Sequence, residues 1–447
     1  GGDGAGIGFQ PTGDCSGSPL VITSAISSPE LCESKGSIEF TFTGGTAPFA
    51  FSWTGGGSAS EVTSPYFITG LDAGAYTVTV SDDNGSSVTA TAEVVFLPVY
   101  NSTSSQGYAN IQDAIDAATA GDVIEVCEGT YNESLIVPIA VSLIGPNAGT
   151  SGCDSRGTEA TIDGYIKVTS SDVSINGFRL LDGAQAPAGE LAAVHIVSAL
   201  SNVSITNNYV ERTGVLDFDV SRGIVNEIGG TTNLTVSNNY FTGWHTGTYL
   251  QNADADVTNN CYVLNQVGIS SDTPIDVLVD GNDIHNNAFE GIGIGGTVGQ
   301  MIISNNNITG NLDGVHNYSS TEINAGSNWW GDASGPSDFG PGTGDKVSAN
   351  ITFCPLLNDE VGVGTAVDCR VLNISNGESF VSIQAAINDA ETSAGDTLVA
   401  EAGTYNENIV VNKEVVILGA NADTDCGGTR NLESIISVSS GLPFNIT

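Results

Sequence analysis

The residues whose types and spacing could do chemistry begin with one short stretch, VLDFDVSRG. There Asp217 and Asp219 lie two apart, with Arg222 close behind. Side chains at i and i+2 of a strand point to one side, about 7 Å apart. That separation suits an acid–base carboxyl pair with room for a water, as in inverting glycoside hydrolysis. Glu211, Arg212 and Glu227 flank the pair, so a solvated loop with local ion pairs is the competing reading. Asp82, Asp83 and Asn84 cluster oxygens that a calcium ion would take. The same residues also read as an Asx turn. Calcium is the only cofactor these residues suggest. The histidines are His195, His245, His285 and His316. A copper or zinc site wants two or three on one face. His285 lies three after Asn282 and His316 ten after Asn306, so convergence is not expected. Trp244 and the Trp329-Trp330 pair could meet a sugar ring, or simply close a core.

The chain of 447 residues carries 51 acidic and 10 basic side chains, a formal net charge of −41. The imbalance comes from missing Lys and Arg. Such a surface repels nucleic acid and anionic membranes. It also disfavours polyuronates, whose carboxylates need Arg or Lys. A hydrophobic content of 40% is ample for packed cores. No stretch reaches the roughly 20 apolar residues of a membrane helix, so direct membrane insertion is not expected.

The eight cysteines form no CxxC pair. Local pairing predicts Cys15–Cys32, Cys127–Cys153 and Cys354–Cys369, with Cys261 and Cys426 left over; other pairings remain open. Disulfides and scarce basic residues point to a secreted, extracellular chain.

The elements that must position these residues follow from a repeat. Residues 108–145 read YANIQDAIDAATAGDVIEVCEGTYNESLIVPIAVSLIG, and residues 380–419 read FVSIQAAINDAETSAGDTLVAEAGTYNENIVVNKEVVILG. One kind of domain therefore opens twice. Ahead of it, residues 18–98 are strand and turn, with Ile38, Phe40 and Phe42 alternating on one face. Tyr76, Val78 and Val80 alternate likewise before the Asp83-Asn84-Gly85 turn. This predicts a β-sandwich, preceded by a Gly-rich segment over residues 1–17. The runs GGTAPFAFSWTGG and GLDAGAYTVTVSDDNGSS resemble the SprB-type repeat modules of bacterial gliding and surface adhesins. The resemblance implies an immunoglobulin-like display or spacer module without catalysis.

Over residues 99–357 a short amphipathic helix at Asn110–Ala118 leads into strand-like triplets that end in asparagine. Asn208, Asn239, Asn260, Asn282, Asn306 and Asn328 recur at steps of 31, 21, 22, 24 and 22. A period near 22 with Val/Ile strands predicts a stacked solenoid, a right-handed parallel β-helix. Asn tolerates the left-handed backbone of a sharp turn, and stacked amides can bond along the stack. The step of 31 implies an insertion at about Glu211–Ile228.

The opening Ile-Gln-x-Ala-Ile…Gly-Asp…Gly-Thr-Tyr-x-Glu and the closing Asn328-Trp329-Trp330-Gly331…Ser334-Gly335-Pro336 resemble the pectin-lyase-like β-helix superfamily, in its surface-protein and periplasmic-copper-protein-like branches. That superfamily holds lyases, glycosidases, adhesins and stalks, so the resemblance leaves function open. Its lyases need an Arg or Lys base beside calcium carboxylates. Here Lys167, Arg179, Arg212 and Arg222 do not recur at one coil position.

A linker at 358–370 leads to residues 371–447, the start of a second β-helix with no closing Trp-Trp segment. An open coil exposes strand edges. Self-assembly is therefore expected through that end, with Gly1–Gly17 or the sandwich of another copy as the cover. The fold class expected is all-β: an immunoglobulin-like sandwich, a parallel β-helix and the start of another. The function expected is a non-catalytic cell-surface stalk, adhesin or filament subunit. The alternative is a carbohydrate-active or glycan-binding protein working near Asp217, Asp219 and Trp244.

Overall fold

The computed structural model describes residues 18–32, 34–181, 192–197, 199–213, 221–226, 230–340, 342–423, 430–438 and 442–446. It divides into two compact units. One holds residues up to Tyr100 with Gln106–Asn110; the other holds Asn101–Ser105 with Ile111–Thr447.

The first unit is an antiparallel sandwich. One sheet orders Val21–Ser28, Gly36–Thr43 and Tyr66–Leu71. The other orders Gly57–Val62, Phe49–Trp53, Gly74–Ser81 and Ser87–Val94. Ile38, Phe40, Val78 and Val80 are fully buried between them, joined by Phe42 and Phe51. Trp53 and Tyr76 pack on the edge of this core. The period-2 pattern thus turns one face of each sheet inward.

The second unit winds three parallel sheets. In the first sheet Ile124, Leu143, Ile175, Ile205, Val236, Val257, Val279 and Ile303 lie one above another and are fully buried. The second sheet stacks Ile162, Leu180, Val210, Phe241, Tyr262, Ile284 and Ile308 inward. The third stacks Leu135, Ile166, Val194, Ile224, Thr248, Ile269, Ile292 and Val315. Triplet strands have one inward side chain each, and parallel pairing buries it against the coils above and below. Thr248 brings a hydroxyl into this core and shares it with the Tyr262 phenol at 2.9 Å.

The expected single insertion at Glu211–Ile228 is corrected. Arg222–Asn226 is a strand of the third sheet, paired with Ala192–Ile196 and Thr246–Gln251. Ile224 and Asn226 point into the core, so the added residues of this coil fall on both sides of a core strand. The coils also continue past Trp330. Pro336–Asp338 and Gly344–Val347 extend the third sheet, and Ile351–Thr352 extends the first.

The second winding starts at Val371–Asn373, with a hairpin to Glu378–Phe380 and a helix at Ile383–Asn388. Thr397–Ala400 pairs with Val416–Gly419, Gly403–Tyr405 with Ser434–Ile436, and Ile409–Val411 with Phe444–Ile446, all parallel.

Candidate functional site

The repeated polar residues form the cap of each winding. Glu133 accepts the helix N–H groups of Ile111 at 3.1 Å and Gln112 at 3.0 Å. Glu407 does the same for Ile383 at 2.9 Å and Gln384 at 2.8 Å. A carboxylate at a helix start meets donors that have no partner in the helix. The Gln112 amide then pairs with the backbone of Ile136, donating at 3.1 Å and accepting at 2.8 Å. Gln384 treats Val410 likewise. Each glutamine therefore occupies the strand edge of the first coil, which would otherwise be open. Asp122 accepts from Asn101 and Thr119, and Asp396 from Asn373 and Ser393. For Asp122 the Thr119 backbone bond, and for Asp396 the Asn373 bond, chiefly hold the carboxyl below its usual range. Tyr131 and Tyr405 each donate 2.9 Å to the carbonyl four residues back.

The six period-marking asparagines stand in one buried column. Oδ1 of Asn239, Asn260, Asn282, Asn306 and Asn328 each accepts two bonds from the asparagine below, one from its backbone N–H at 2.8–2.9 Å and one from its Nδ2 at 2.9–3.1 Å. Asn208 continues the column to the Phe178 amide at 3.0 Å. The left-handed backbone lies one residue earlier, at Asn207, Asn238, Asn259, Gly281, Asn305 and Ser327, with φ between 53° and 70°. In each Asn-Asn pair the first residue bends the chain and the second bonds the stack. Assigning both tasks to one asparagine is thereby corrected.

A second column stands between the second and third sheets. Trp244 N–H donates to Asn265 Oδ1, Asn265 to Asn287 and Asn287 to Asn311, at 2.9–3.1 Å. It ends on Asp345, whose carboxylate accepts from Gly310 N, Asn311 N and Asn311 Nδ2 at 2.7–2.9 Å. Burial pushes this carboxyl up, while the Asn311 and Gly310 bonds oppose the shift. The signal was in the chain: Asn265, Asn287 and Asn311 each follow a first-column asparagine by five.

The sequence-derived candidates fall apart in space. Asp217, Asp219, Cys15, Cys426 and Gly1–Gly17 lie outside the described residues. Asp82 uses both carboxylate oxygens on backbone amides, Thr46 at 3.1 Å and Ser86 at 2.8 Å, and Asn84 donates to Thr46 Oγ1. Trp244 is fully buried and donates to Val210 O, so it is no sugar platform on a coil face. Its spacing places it at the foot of the second amide column. Trp330 is buried, and Trp329 bridges to Asn307. Cys354–Cys369 is a disulfide as expected. The expected Cys127–Cys153 bond is corrected: Cys153 joins Cys261, 108 residues on, at a Cα separation of 5.9 Å. Winding brings distant coils within bonding range, which sequence proximity does not express. Cys32 and Cys127 are also disulfide-bonded. These bonds suit an oxidising environment. Among the described residues no helix is long and apolar enough to cross a membrane.

His195 and His316 do share an outward row of the third sheet, but Val225, Tyr249, Ser270 and Gly293 lie between. Five strand steps of about 4.8 Å separate them by roughly 24 Å. His245 sits at a corner beside Thr246, and His285 on the second sheet near Asp283. Among the described residues no three His, Cys, Asp or Glu side chains group as a metal ion requires.

The third sheet does gather a cluster that the sequence reading did not find. Asp313 Oδ2 holds His316 Nδ1 at 3.1 Å, and the His316 ring stacks on Tyr318 at 4.2 Å. The Tyr318 phenol donates to Glu290. That bond, then partial burial, pushes the phenol up to about 12. Further along the same face the Arg222 guanidinium lies 4.1 Å over the Tyr249 ring. A carboxylate-oriented imidazole beside a carboxylate-bound phenol can exchange protons with a polar ligand. The signal was faint: Asp313, His316 and Tyr318 lie in one strand and its end at steps of three and two, off the period of a strand, while Glu290 comes from the coil before. No protein-family model matches this chain, and no curated protein matches it in sequence.

Proposed function

We propose that this chain is a secreted bacterial cell-surface structural protein, a stalk, adhesin or filament subunit, and not a catalyst. Its windings belong to the pectin-lyase-like β-helix superfamily in this reading, and the sandwich is an SprB-type display module. One observation supports it above others. The repeated Asn, Gln, Asp, Tyr and Glu side chains are spent on caps and two internal amide columns. Chemistry that would serve a substrate is turned inward to stiffen a stack. The low count of basic residues, 10 of 447, supports a self-repelling, soluble exterior. Self-association through the last coil is part of the proposal.

The test is incubation with neutral and acidic polysaccharides, followed by assay for reducing ends and unsaturated products. None is expected. Activity lost in Glu290→Gln or Asp217→Asn would replace the structural reading with the second one, a carbohydrate-active protein. The observation favouring that second reading is the Asp313–His316 and Glu290–Tyr318 cluster on the third sheet. Electron microscopy of native material tests assembly, and dispersed monomers at high concentration would count against it.

A further inference from the structure

On the second sheet, away from the cluster just described, lies an open cleft of about 410 Å³. Its lining includes Asp154, Arg156, Glu159, Arg179, Tyr209 and Glu211. Two of the ten basic residues of the chain meet here. One wall is rigid. The Arg156 side chain is 6% exposed and binds Glu159 at 2.6 Å. Its remaining donors reach the carbonyls of Thr150, Asn207 and Phe178 at 2.7–3.3 Å. The loop it anchors is tied again by Cys153–Cys261 and by Gly152 N–H on Asn238 O at 2.7 Å.

The opposite wall is half exposed and has bonding capacity to spare. Arg179 directs Nε at 3.2 Å and Nη2 at 2.6 Å to a single oxygen, Glu211 Oε2. Among the described residues Arg179 Nη1, Glu211 Oε1 and the Tyr209 hydroxyl carry no further bond. Tyr209 is held by a parallel stack on Tyr240, centroids 4.8 Å apart. Burial and the Glu211 charge push its phenol up, so it stays a neutral donor and acceptor.

We propose that this cleft binds a neutral oligosaccharide. Vicinal hydroxyls both donate and accept, and the cleft offers a charged donor, a charged acceptor and a hydroxyl on a fixed frame. Formal charges nearly cancel, with Arg156 and Arg179 against Asp154, Glu159 and Glu211. Uronates and phosphates meet three carboxylates, and polycations meet two guanidiniums. The site goes beyond the mechanical reading and stands without it.

The test uses the full chain in calorimetric titrations with hexasaccharides of β-1,4-glucose, α-1,4-glucose, β-1,3-glucose and β-1,4-mannose, and with oligogalacturonate. At least one neutral sugar is expected to bind below about 1 mM, and oligogalacturonate not at all. Arg179→Met and Glu211→Gln should each weaken binding about tenfold, and Tyr209→Phe about threefold. The double variant Arg179→Met/Glu211→Gln leaves no uncompensated charge, so its fold is expected to hold while binding is lost. Asp256→Asn, exposed on the first sheet, should bind as the parent does. The proposal falls if no neutral sugar binds up to about 10 mM. It also falls if binding survives the double variant, or if only the acidic sugar binds.

Discussion

Arg156–Glu159 in the first winding and Arg430–Glu433 in the second are the same ion pair at the same spacing, both 2.6 Å long. Yet the first guanidinium is 6% exposed and the second 57%. In the first winding later coils bring the carbonyls of Asn207 and Phe178 over the arginine. In the second, Arg430 has Glu433 as its only partner among the described residues. A local motif acquires its energetic weight from coils far along the chain. The caps behave oppositely: Glu133 and Glu407, or Gln112 and Gln384, make the same bonds in both windings because all their partners are local to one coil.

The largest effect that would sharpen this contrast is expected at the amide column. Asn282→Ala leaves the buried Asn260 N–H without its partner and removes one bond each from Val257 O and from Asn260 Nδ2, which keeps Val236 O, at a cost of about 4 kcal/mol. Asn421→Ala, whose amide bonds the backbone of Asn431 and Leu432, should cost about 1 kcal/mol. Urea unfolding read by region-resolved hydrogen exchange separates the two. Equal losses would break the comparison.

Next comes the ion pair. Arg156→Met strands Glu159 and the carbonyls of Thr150 and Asn207, and should lose about 3 kcal/mol. Arg430→Met should leave the unfolding midpoint unchanged. The caps should respond alike: Glu133→Gln and Glu407→Gln are each expected to cost about 1 kcal/mol, measured by thermal unfolding. A difference of more than about twofold would mean that the caps, too, depend on their coils.

The smallest effect concerns Glu378, which stands where the first winding has Gln106. Partial burial, then the Asp389 and Glu391 charges, raise its carboxyl from 4.5 to about 7. The folded state holds this proton where the unfolded chain has released it. Stability from this group is full below pH 4.5 and declines as pH rises to about 7. Glu378→Gln should flatten that slope and leave the variant more stable than the parent above pH 7. Melting curves across pH 4 to 8 check it, and an unchanged slope would exclude the carboxyl as its source.

Much of the scaffold was legible. Ile205, Val236, Val257 and Val279 declare their inward row by periodicity, and the asparagines declare the coil length. Disulfide partners were not legible for Cys153 and Cys261, because one contact across several coils leaves no periodic trace. The second column at Asn265, Asn287 and Asn311 was written at the same period but masked by neighbouring asparagines in polar turns. Glu290 and Tyr318 belong to different coils, so their meeting depends on register rather than on spacing.

The chain alone determined how often it turns, which residues face inward and where each winding is capped. These are properties of neighbours within one coil, set by strand alternation, turn geometry and helix-end donors. Only the wound structure decided that Cys153 reaches Cys261, that Asp345 terminates an amide column, and that Arg156 is buried where Arg430 is not. Those outcomes depend on how many coils lie above a residue and in what register. A parallel stack sets that register through buried contacts summed over its whole height, and no single stretch of sequence carries the sum.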